Sequence, residues 1–581
     1  MNRAGFQQIF LLSILLLMGT ATAGAQQDQA QSSLLPEIDP QDIEIRSEFT
    51  ARFPGLRRQP ILGFTPEPSI YQVDPDRMPF MESQEEVVAN LPITDLSRPD
   101  PPPYQPLSYE PEINAYGRLG VGSFVSPEAE FWGINRFSKN SYISGRLDYH
   151  STNGHLDTEN SSFRFFDLDA EYATKLGRQT TVSINAGAEN SFNRMFWLDG
   201  AETLPIQIPA GPRKTYSGVN IGADLSRHTN SIEGWDGSLA FRRFDMEMDA
   251  GDIGGDAAES IFGASFRNEW AGGRLQETIA LRLSGRGGSY ELSSQADSQN
   301  WLTVQAGGEY QRLLDYSTQL SADLGVVYTS NAFEDKVYPG FTFSAKHWIQ
   351  DNLTVNGQLS GTPKLQSIEQ LNNLNRFLNH QSPLRHTYTV EAAGQMNLEY
   401  YRGSSIYAKV SFMQAQNYAY FDRAPLPVNT TGSAVPEGYY QVNYMDANKI
   451  KGELGATHQL VPEKLWIDAA FYVQNPKLDD GNDIPFEETW GVNSGFSAKL
   501  FSKLRIEAWA DYVSERNTLS SGSTEKIDGF LLLGGRVEID ITDRIGVYAK
   551  MLNLLSQEYQ VWQGYEERPF QAYGGVTVKL N

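Results

Sequence analysis

Apolar and polar side chains alternate one by one along most of this chain, in runs of about ten residues that are separated by turns. Residues 503–512 and 464–474 are two such runs, each with an apolar face and a polar face. Alternation with a period of two is typical of a β-strand whose two faces meet different surroundings. Residues 368–378 show instead the spacing of an amphipathic helix. The pattern therefore predicts an almost entirely β protein.

The runs predict 22 strands, an even number, as a closed bacterial barrel requires. The predicted bounds are 115–125, 128–137, 141–151, 162–175, 179–194, 214–227, 235–246, 257–270, 273–287, 299–311, 316–331, 336–348, 352–362, 386–400, 404–419, 438–460, 464–475, 487–500, 503–516, 525–539, 544–558 and 569–581. Tight turns such as 138–140 alternate with long loops such as 195–213 or 363–385, which is typical of outer-membrane barrels. A large soluble β-sandwich or a propeller is the alternative, although no propeller repeat is found.

The predicted fold class is therefore all-β, a transmembrane antiparallel β-barrel of about 22 strands over residues 114–581. Two segments precede it. Residues 1–25 form a predicted signal peptide, with a positive start, an apolar stretch at 9–18 and small residues at the cleavage site. The alternative, a membrane anchor, needs a longer apolar stretch. Residues 26–113 are rich in proline and are predicted to form an extended periplasmic arm, in which 53–60 is either a docking motif or a solvated linker.

Composition narrows the function classes. A formal net charge of −24 argues against nucleic acid as a partner, because an acidic protein repels its phosphates. The absence of cysteine excludes thiolate catalysis and cysteine metal sites. The histidines show neither a repeated ligand spacing nor an adjacent serine elbow, and the pair His150 and His155 is either a metal site or ordinary polar surface. We therefore predict no enzyme activity, with no catalytic residue, cofactor or metal.

A barrel of this size encloses a wide, hydrated lumen unless something occupies it. The lumen is occluded by the arm at 26–113, by inward-folded loops such as 363–385 or by a partner, or it stays open. Charged residues on the polar faces of the strands are predicted to line this lumen, where they either tune charge selectivity or pair with one another. These candidates are Arg146, Asp148, Arg505, Glu507 and Asp511.

Two further groups lie near the predicted strand ends. Asp479, Asp480 and Asp483 gather oxygen ligands in one outer loop and form a possible cation site. The loop lacks the full calcium-loop spacing and its closing glutamate, which favours an ordinary polar turn. Aromatic residues near strand ends are expected to form interfacial girdles, with some lining the lumen instead. They are Trp132, Tyr142, Trp348, Trp466, Tyr548 and Trp562.

Residues 543–562 resemble the penultimate hairpin of TonB-dependent receptors, and Gly574–Leu580 resembles their final strand. Tyr444–Leu460, with Lys451-Gly452-Glu453-Leu454, is similar to a barrel strand of that family that carries a Gly-x-Glu element. The resemblance covers about four-fifths of the chain and implies a barrel of about 22 strands that acts in uptake. Two features depart from the family. Residues 26–113 are shorter and richer in proline than its plug domain, and no TonB box is evident.

The function that we expect is passage or uptake of a solute across the outer membrane of a Gram-negative type of cell. The alternative is a non-transporting accessory or assembly subunit of an outer-membrane complex, which docks through its outer loops and its N-terminal arm. The expected partners are outer-membrane lipid, the barrel assembly machinery, and a periplasmic or outer-membrane protein that binds residues 26–113.

Overall fold

The computed structural model describes residues 114–156, 161–196, 212–229, 233–249, 254–273, 277–292, 298–423, 440–462, 464–520 and 523–580. The predicted signal peptide, the predicted arm and the motif at 53–60 lie outside these ranges, and they stay predictions.

Nearly all of the described chain is β-strand, with one helix, α1 (Ile368–Leu374). The strands are β1 (Ala115–Gly122), β2 (Ser126–Ser138), β3 (Ser141–Thr152), β4 (Phe163–Leu176), β5 (Thr180–Arg194), β6 (Arg213–His228), β7 (Gly234–Asp249), β8 (Gly255–Ala271), β9 (Thr278–Leu292), β10 (Gln299–Asp315), β11 (Thr318–Ser330), β12 (Asp335–Gln350), β13 (Leu353–Leu365), β14 (His386–Tyr401), β15 (Ser404–Asp422), β16 (Gln441–Val461), β17 (Leu465–Leu478), β18 (Trp490–Leu500), β19 (Leu504–Val513), β20 (Arg516–Ser520), β21 (Ser523–Ile527), β22 (Phe530–Asp540), β23 (Ile545–Leu552), β24 (Gln560–Trp562), β25 (Tyr565–Glu566) and β26 (Gln571–Leu580).

Twenty-two of these strands form one closed antiparallel barrel. Each barrel strand pairs with the next one in chain order, and β1 closes the ring against β26, from Ala115 opposite Leu580 to Gly122 opposite Tyr573. The other four strands form two separate hairpins, β20 with β21 and β24 with β25. Closure pairs the backbone of each barrel strand on both sides, so the barrel has no open edge. The predicted fold class is confirmed.

The alternation along each strand separates an apolar exterior from a polar interior. On β7, Leu239 is 65% exposed on the exterior, whereas Arg242, on the opposite face, contacts a residue inside the barrel. Val219, Phe262 and Leu281 continue the apolar exterior on neighbouring strands. An exterior of this kind suits contact with acyl chains. In the described ranges, no helix has the length and apolar character needed to cross a bilayer.

The connections also alternate in length, as predicted. One end of the barrel has two-residue turns such as 316–317 and 351–352, and we call it the short-turn end. The other end carries long connections such as 366–385 and 553–570, and we call it the long-loop end. Residues 123–125 and 331–334 are short exceptions there.

Several predicted bounds were wrong at the long-loop end. The predicted strand 544–558 ends at Leu552, because Asn553 and Ser556 adopt left-handed backbone conformations with φ of 47° and 48°. The Asn553 side chain fixes this turn, since its Nδ2 donates to the carbonyl oxygens of Gln557 and Arg568 at 2.8 and 3.2 Å. The predicted strand 503–516 likewise ends at Val513.

Helix α1 is shorter than the predicted range 368–378. It begins after Ser367, whose Oγ accepts a hydrogen bond from Gln370 N (3.2 Å) while Gln370 Oε1 accepts one from Ser367 N (3.1 Å). This reciprocal pair is a capping box. The helix ends at Leu374, because Asn375 leaves the helical region and its Oδ1 accepts a hydrogen bond from Phe377 N (2.9 Å).

Three of the six aromatic residues near strand ends do not contribute to an interfacial girdle, an outcome that the expectation left open for some of them. Trp466, Tyr548 and Trp562 are buried. Tyr548 donates its hydroxyl hydrogen to the Glu128 carboxylate (2.5 Å), and Trp562 packs in an aromatic cluster at the long-loop end. Period-two alternation predicts that a residue lies on one of two faces, but it does not distinguish a lipid face from a lumen face when the side chain is an aromatic one.

Candidate functional site

The connection between β13 and β14, residues 366–385, folds into the barrel, and we call it the lumen segment. Its contacts reach inward-facing side chains of β6, β7, β8 and β9 on one part of the wall and of β16 on another. Because β6 and β16 stand ten strands apart in a ring of 22, these contacts come from almost opposite walls. The lumen segment therefore crosses the interior near the long-loop end.

A buried carboxylate on β8 holds the start of the lumen segment. The Glu259 side chain is fully buried, and its Oε2 accepts a hydrogen bond from Ile368 N at 2.8 Å. Its Oε1 accepts a second hydrogen bond from Trp301 Nε1 at 2.9 Å. Arg242 on β7 forms an ion pair with Glu369 in the first turn of α1. The wall thus supplies an acceptor to the first helical N–H group and a cation to the first helical carboxylate.

A buried lysine on β6 holds the chain after α1. The Lys214 side chain is fully buried, and its Nζ donates to the carbonyl oxygens of Arg376 and Leu378 at 3.1 and 2.7 Å. These carbonyl groups have no place in a helix or a sheet, so the ammonium satisfies backbone acceptors that burial would otherwise leave unpaired.

Two tyrosines hold the end of the lumen segment in the same way. The Tyr290 hydroxyl on β9 donates to the carbonyl oxygen of His380. The Tyr444 hydroxyl on β16 donates to the carbonyl oxygen of Pro383 (3.0 Å) and accepts from Arg385 N (3.2 Å). The segment is thus fixed mainly by side chains of the wall. Its backbone also forms one isolated parallel bridge next to β16, in which Asn379 N donates to the carbonyl oxygen of Tyr440 (2.6 Å) and Tyr440 N donates to that of Phe377 (3.3 Å).

The lumen segment also packs against the connection 553–570. Phe377 stacks on Tyr565 with ring centroids 3.5 Å apart and planes inclined by 11°. Arg376 Nη2 donates to Glu567 Oε1 at 2.8 Å. Together the buried apolar residues form a cover at the long-loop end. They are Met195, Phe196, Met248, Phe377, Tyr440, Phe486, Ile527, Trp562 and Tyr565.

Burial changes the ionisation of two groups in the lumen segment. Burial raises the pKa of Glu369, although Arg242 opposes the shift. Burial, assisted by the charge of Lys214, lowers the pKa of His380 to about 4. His380 is therefore neutral at pH 7 in the docked segment, and protonating it requires the imidazole to become hydrated.

A cavity of about 590 Å³ lies between the lumen segment and the wall. Its wall side is formed by β1 to β6 and β23, and its other side by residues 372–374, Arg376 and the connection 553–570. The lining mixes carboxylates with aromatic rings, and it includes three cationic side chains, Arg118, Arg376 and Lys550, each of which is paired with a carboxylate. The volume lies within the range of about 300–1,000 Å³ that is usual for small-molecule sites.

The structure places all five predicted lumen residues on the face opposite to the apolar exterior. Arg146 Nε pairs with Asp148 Oδ2 at 2.6 Å, and Asp148 also lines the cavity. Arg505 lies 3.9 and 3.7 Å from two carboxylates of β22, and Glu507 accepts from a β22 guanidinium at 2.8 Å. Asp511 is buried. From the sequence, these residues either tune the charge selectivity of the lumen or pair with one another. The contacts observed in the structure are ion pairs. A role of these residues in selectivity stays a prediction.

In the predicted cation loop, Asp480 accepts hydrogen bonds from the backbone and side-chain amides of Asn482 at 2.9 and 2.8 Å. Asp483 pairs with Lys477 Nζ at 2.5 Å, while the backbone N–H of Asp479 donates to the carbonyl oxygen of Asp446 (2.8 Å). Across the described part of the chain, no group of three or more His, Asp or Glu side chains is placed to hold a metal ion.

The two loop histidines join separate contacts. His150 Nε2 lies 3.2 Å from the Tyr573 hydroxyl, whereas His155 Nε2 lies 3.0 Å from the carbonyl oxygen of Glu566. His155 Nδ1 also lies 3.2 Å from Ser161 Oγ, and burial lowers the pKa of His155. The His155 contact ties the connection between β3 and β4 to that between β23 and β26, whereas the His150 contact joins β3 to β26.

The residues that hold the lumen segment were not found from the sequence. Lys214, Arg242, Glu259 and Tyr290 carry no motif, and strand parity is the signal that places each of them on the inward face. Parity does not show which inward-facing residues meet a folded loop.

The fold is a closed 22-strand antiparallel β-barrel whose interior is crossed by one connection. The resemblance to TonB-dependent receptors is confirmed at the level of the barrel fold. The copper transporter OprC superposes with a TM-score of 0.63 at 12% identity, over 80% of each chain. The ferric yersiniabactin uptake receptor FyuA from Yersinia pestis gives 0.62 at 11% identity, over 82% of this chain and 81% of that chain. The FrpB iron transporter from Neisseria meningitidis gives 0.62 at 9% identity, over 81% and 82%. Neither a family model nor a curated protein sequence matches the chain.

Proposed function

We propose that this chain is an outer-membrane barrel for the passage of small solutes, and that the lumen segment is its built-in gate. The observation that carries the proposal is the crossing of a wide 22-strand barrel by residues 366–385. A ring of this size is too wide for wall side chains to fill, so whatever occupies it controls passage. The apolar exterior supports insertion into a membrane with the long-loop end outward.

The way in which the segment is held favours a gate over a permanent plug. Most of its polar contacts to the wall come from single side chains such as Lys214, Glu259 and Tyr290, and its one backbone bridge, to Tyr440, lies outside the barrel strands. A segment held by side chains undocks without breaking any strand pair of the barrel. The names of the similar structures, a copper transporter and two iron-uptake proteins, support passage as the general activity. Solute identity and coupling to an energy source do not follow from them.

The test compares the full-length protein with a variant in which residues 369–383 are replaced by a short Gly-Ser linker. In planar bilayers, we expect the variant to show larger and longer openings than the full-length protein, and in liposome swelling we expect faster entry of small sugars. Heat-dependent migration in gels verifies that the variant barrel is folded. Folded but silent variant barrels in both assays would contradict passage and favour the accessory-subunit alternative.

A further inference from the structure

Four carboxylates stand side by side across four adjacent strands on one wall of the cavity. Glu130 on β2 is directly opposite Asp148 on β3, Asp148 is opposite Asp167 on β4, and Asp167 is opposite Glu189 on β5. All four line the cavity. Adjacent strands are about 4.7–4.9 Å apart, so the carboxylates form a ladder with a step of about 5 Å. We call it the carboxylate ladder.

The protein neutralises only one half of the carboxylate ladder. Arg118 pairs with Glu130 at 2.5 Å, and Arg146 pairs with Asp148 at 2.6 Å. Within the described residues, no cationic side chain lies at ion-pairing distance from Asp167 or Glu189, and Glu189 Oε1 has no hydrogen-bond partner. Like charges directly opposite each other on a sheet are destabilising. A cation from outside the chain would remove this repulsion.

A second observation comes from the opposite side of the cavity. Asn372 on α1 lines the cavity and is only 1% exposed, yet neither its Oδ1 nor its Nδ2 has a hydrogen-bond partner. A buried carboxamide without partners costs free energy that a native protein usually avoids. Asp167, Glu189 and this carboxamide therefore face the same space from two sides. The two carboxylates lack a cationic partner and the Asn372 oxygen lacks a donor, and a ligand with charged N–H groups supplies both.

We propose that the cavity binds a linear organic polycation of the polyamine class. The step of the carboxylate ladder is comparable to the distance between successive nitrogens of an extended polyamine, so neighbouring ammonium groups meet neighbouring carboxylates. The methylene groups between them meet Phe165 and Tyr216, and Trp562 offers a ring face to a cation. A bare metal ion fits less well, because no described cluster has metal-ligand geometry. This inference rests on the proposed passage function, because it names polyamines as the class of solute that passes.

The test is calorimetric titration of the full-length protein in detergent with spermidine, which measures binding without transport. We expect saturable binding that weakens about tenfold or more in Asp167→Asn, because one charged contact is lost. Asn372→Leu is expected to weaken binding as well. Asp224→Asn is the matched control, because Asp224 is a wall carboxylate on β6 that does not line the cavity. We expect it to bind spermidine like the natural protein.

Three results would overturn the proposal. They are no saturable binding at millimolar spermidine, equal weakening by Asp224→Asn, and equal competition by magnesium at the same charge concentration. The last two would show a general attraction to an acidic surface. If Asp167→Asn does not fold in the gel-migration test, Glu189→Gln is used in its place. If the linker variant conducts but the full-length protein does not bind spermidine, only this inference is contradicted. If the full-length protein binds spermidine but neither protein conducts, only the passage function is contradicted.

Discussion

Removing one oxygen from Tyr290 tests whether wall side chains hold the lumen segment closed. Tyr290 is fully buried, and its hydroxyl donates to the backbone carbonyl oxygen of His380 in the lumen segment. Tyr290→Phe keeps the buried ring and leaves that carbonyl oxygen without its donor. A buried polar group that loses its partner costs about 1–3 kcal/mol. Because this contact exists only in the docked state, the whole penalty falls on docking.

The expected consequence is an increase of about 5- to 150-fold in the fraction of undocked molecules. Amide hydrogen exchange in detergent measures it, since exchange of residues 366–385 follows their local opening. Peptides from the barrel strands are expected to exchange as in the natural protein. Open probability in planar bilayers is expected to rise with the exchange rate.

The matched control is Tyr310→Phe. The Tyr310 hydroxyl donates to Glu277 Oε1 at 2.8 Å, near the short-turn end and away from the lumen segment. We expect exchange of residues 366–385 to be unchanged by it. The reasoning is refuted if Tyr290→Phe leaves this exchange unchanged, or if Tyr310→Phe accelerates it equally.

Three further predictions concern the helix cap, pH and the lipid face. Ser367→Ala removes the capping box of α1 and is expected to weaken docking by about 1 kcal/mol. Amide exchange of residues 368–374 is then expected to be about fivefold faster, and unchanged exchange would contradict the role of the cap. Because the pKa of His380 is lowered to about 4, docking is expected to be unaffected above pH 6.5 and to weaken as the pH falls towards 4, by about 3 kcal/mol in total. Protonation of Glu369, whose pKa is raised, opposes this loss. His380→Gln is expected to abolish the acid-induced rise in exchange, and a rise that persists in this variant would assign it to another group. Leu239→Arg, on the exterior near the middle of β7, is expected to destabilise the barrel in liposomes by about 2–4 kcal/mol in urea titrations, whereas Tyr316→Arg, in a turn and 93% exposed, is expected to have little effect. Equal stability of the two variants would argue against lipid at Leu239.

The strand pattern predicted the barrel because strand formation in a membrane is a local matter. The alternation within each run is enough to give that strand one face for lipid and one for water. All 22 predicted runs correspond to barrel strands. The errors fall where a second influence acts. Strand β23 ends before the predicted bound because Asn553 takes a left-handed conformation, and α1 ends before its predicted bound because Asn375 caps it.

The site was less predictable than the fold. Sequence reasoning named 363–385 as one of several ways to occlude the lumen, and the structure shows this connection inside the barrel, while the arm at 26–113 lies outside the described residues. It also placed Asp148 on the inward face but did not align it with Asp167 and Glu189. Their alignment depends on the register between β3, β4 and β5, which the turns and the closure of the whole ring set together.

The amino-acid sequence by itself determined the number of strands, the side of each strand that meets lipid, and the alternation of short turns with long loops. Those properties depend on the order of neighbouring side chains and on their partition between water and hydrocarbon. Only the tertiary structure decided what fills the lumen. The partners of the lumen segment come from strands that are far apart in sequence, and they meet because closing the ring brings their inward faces around one shared space.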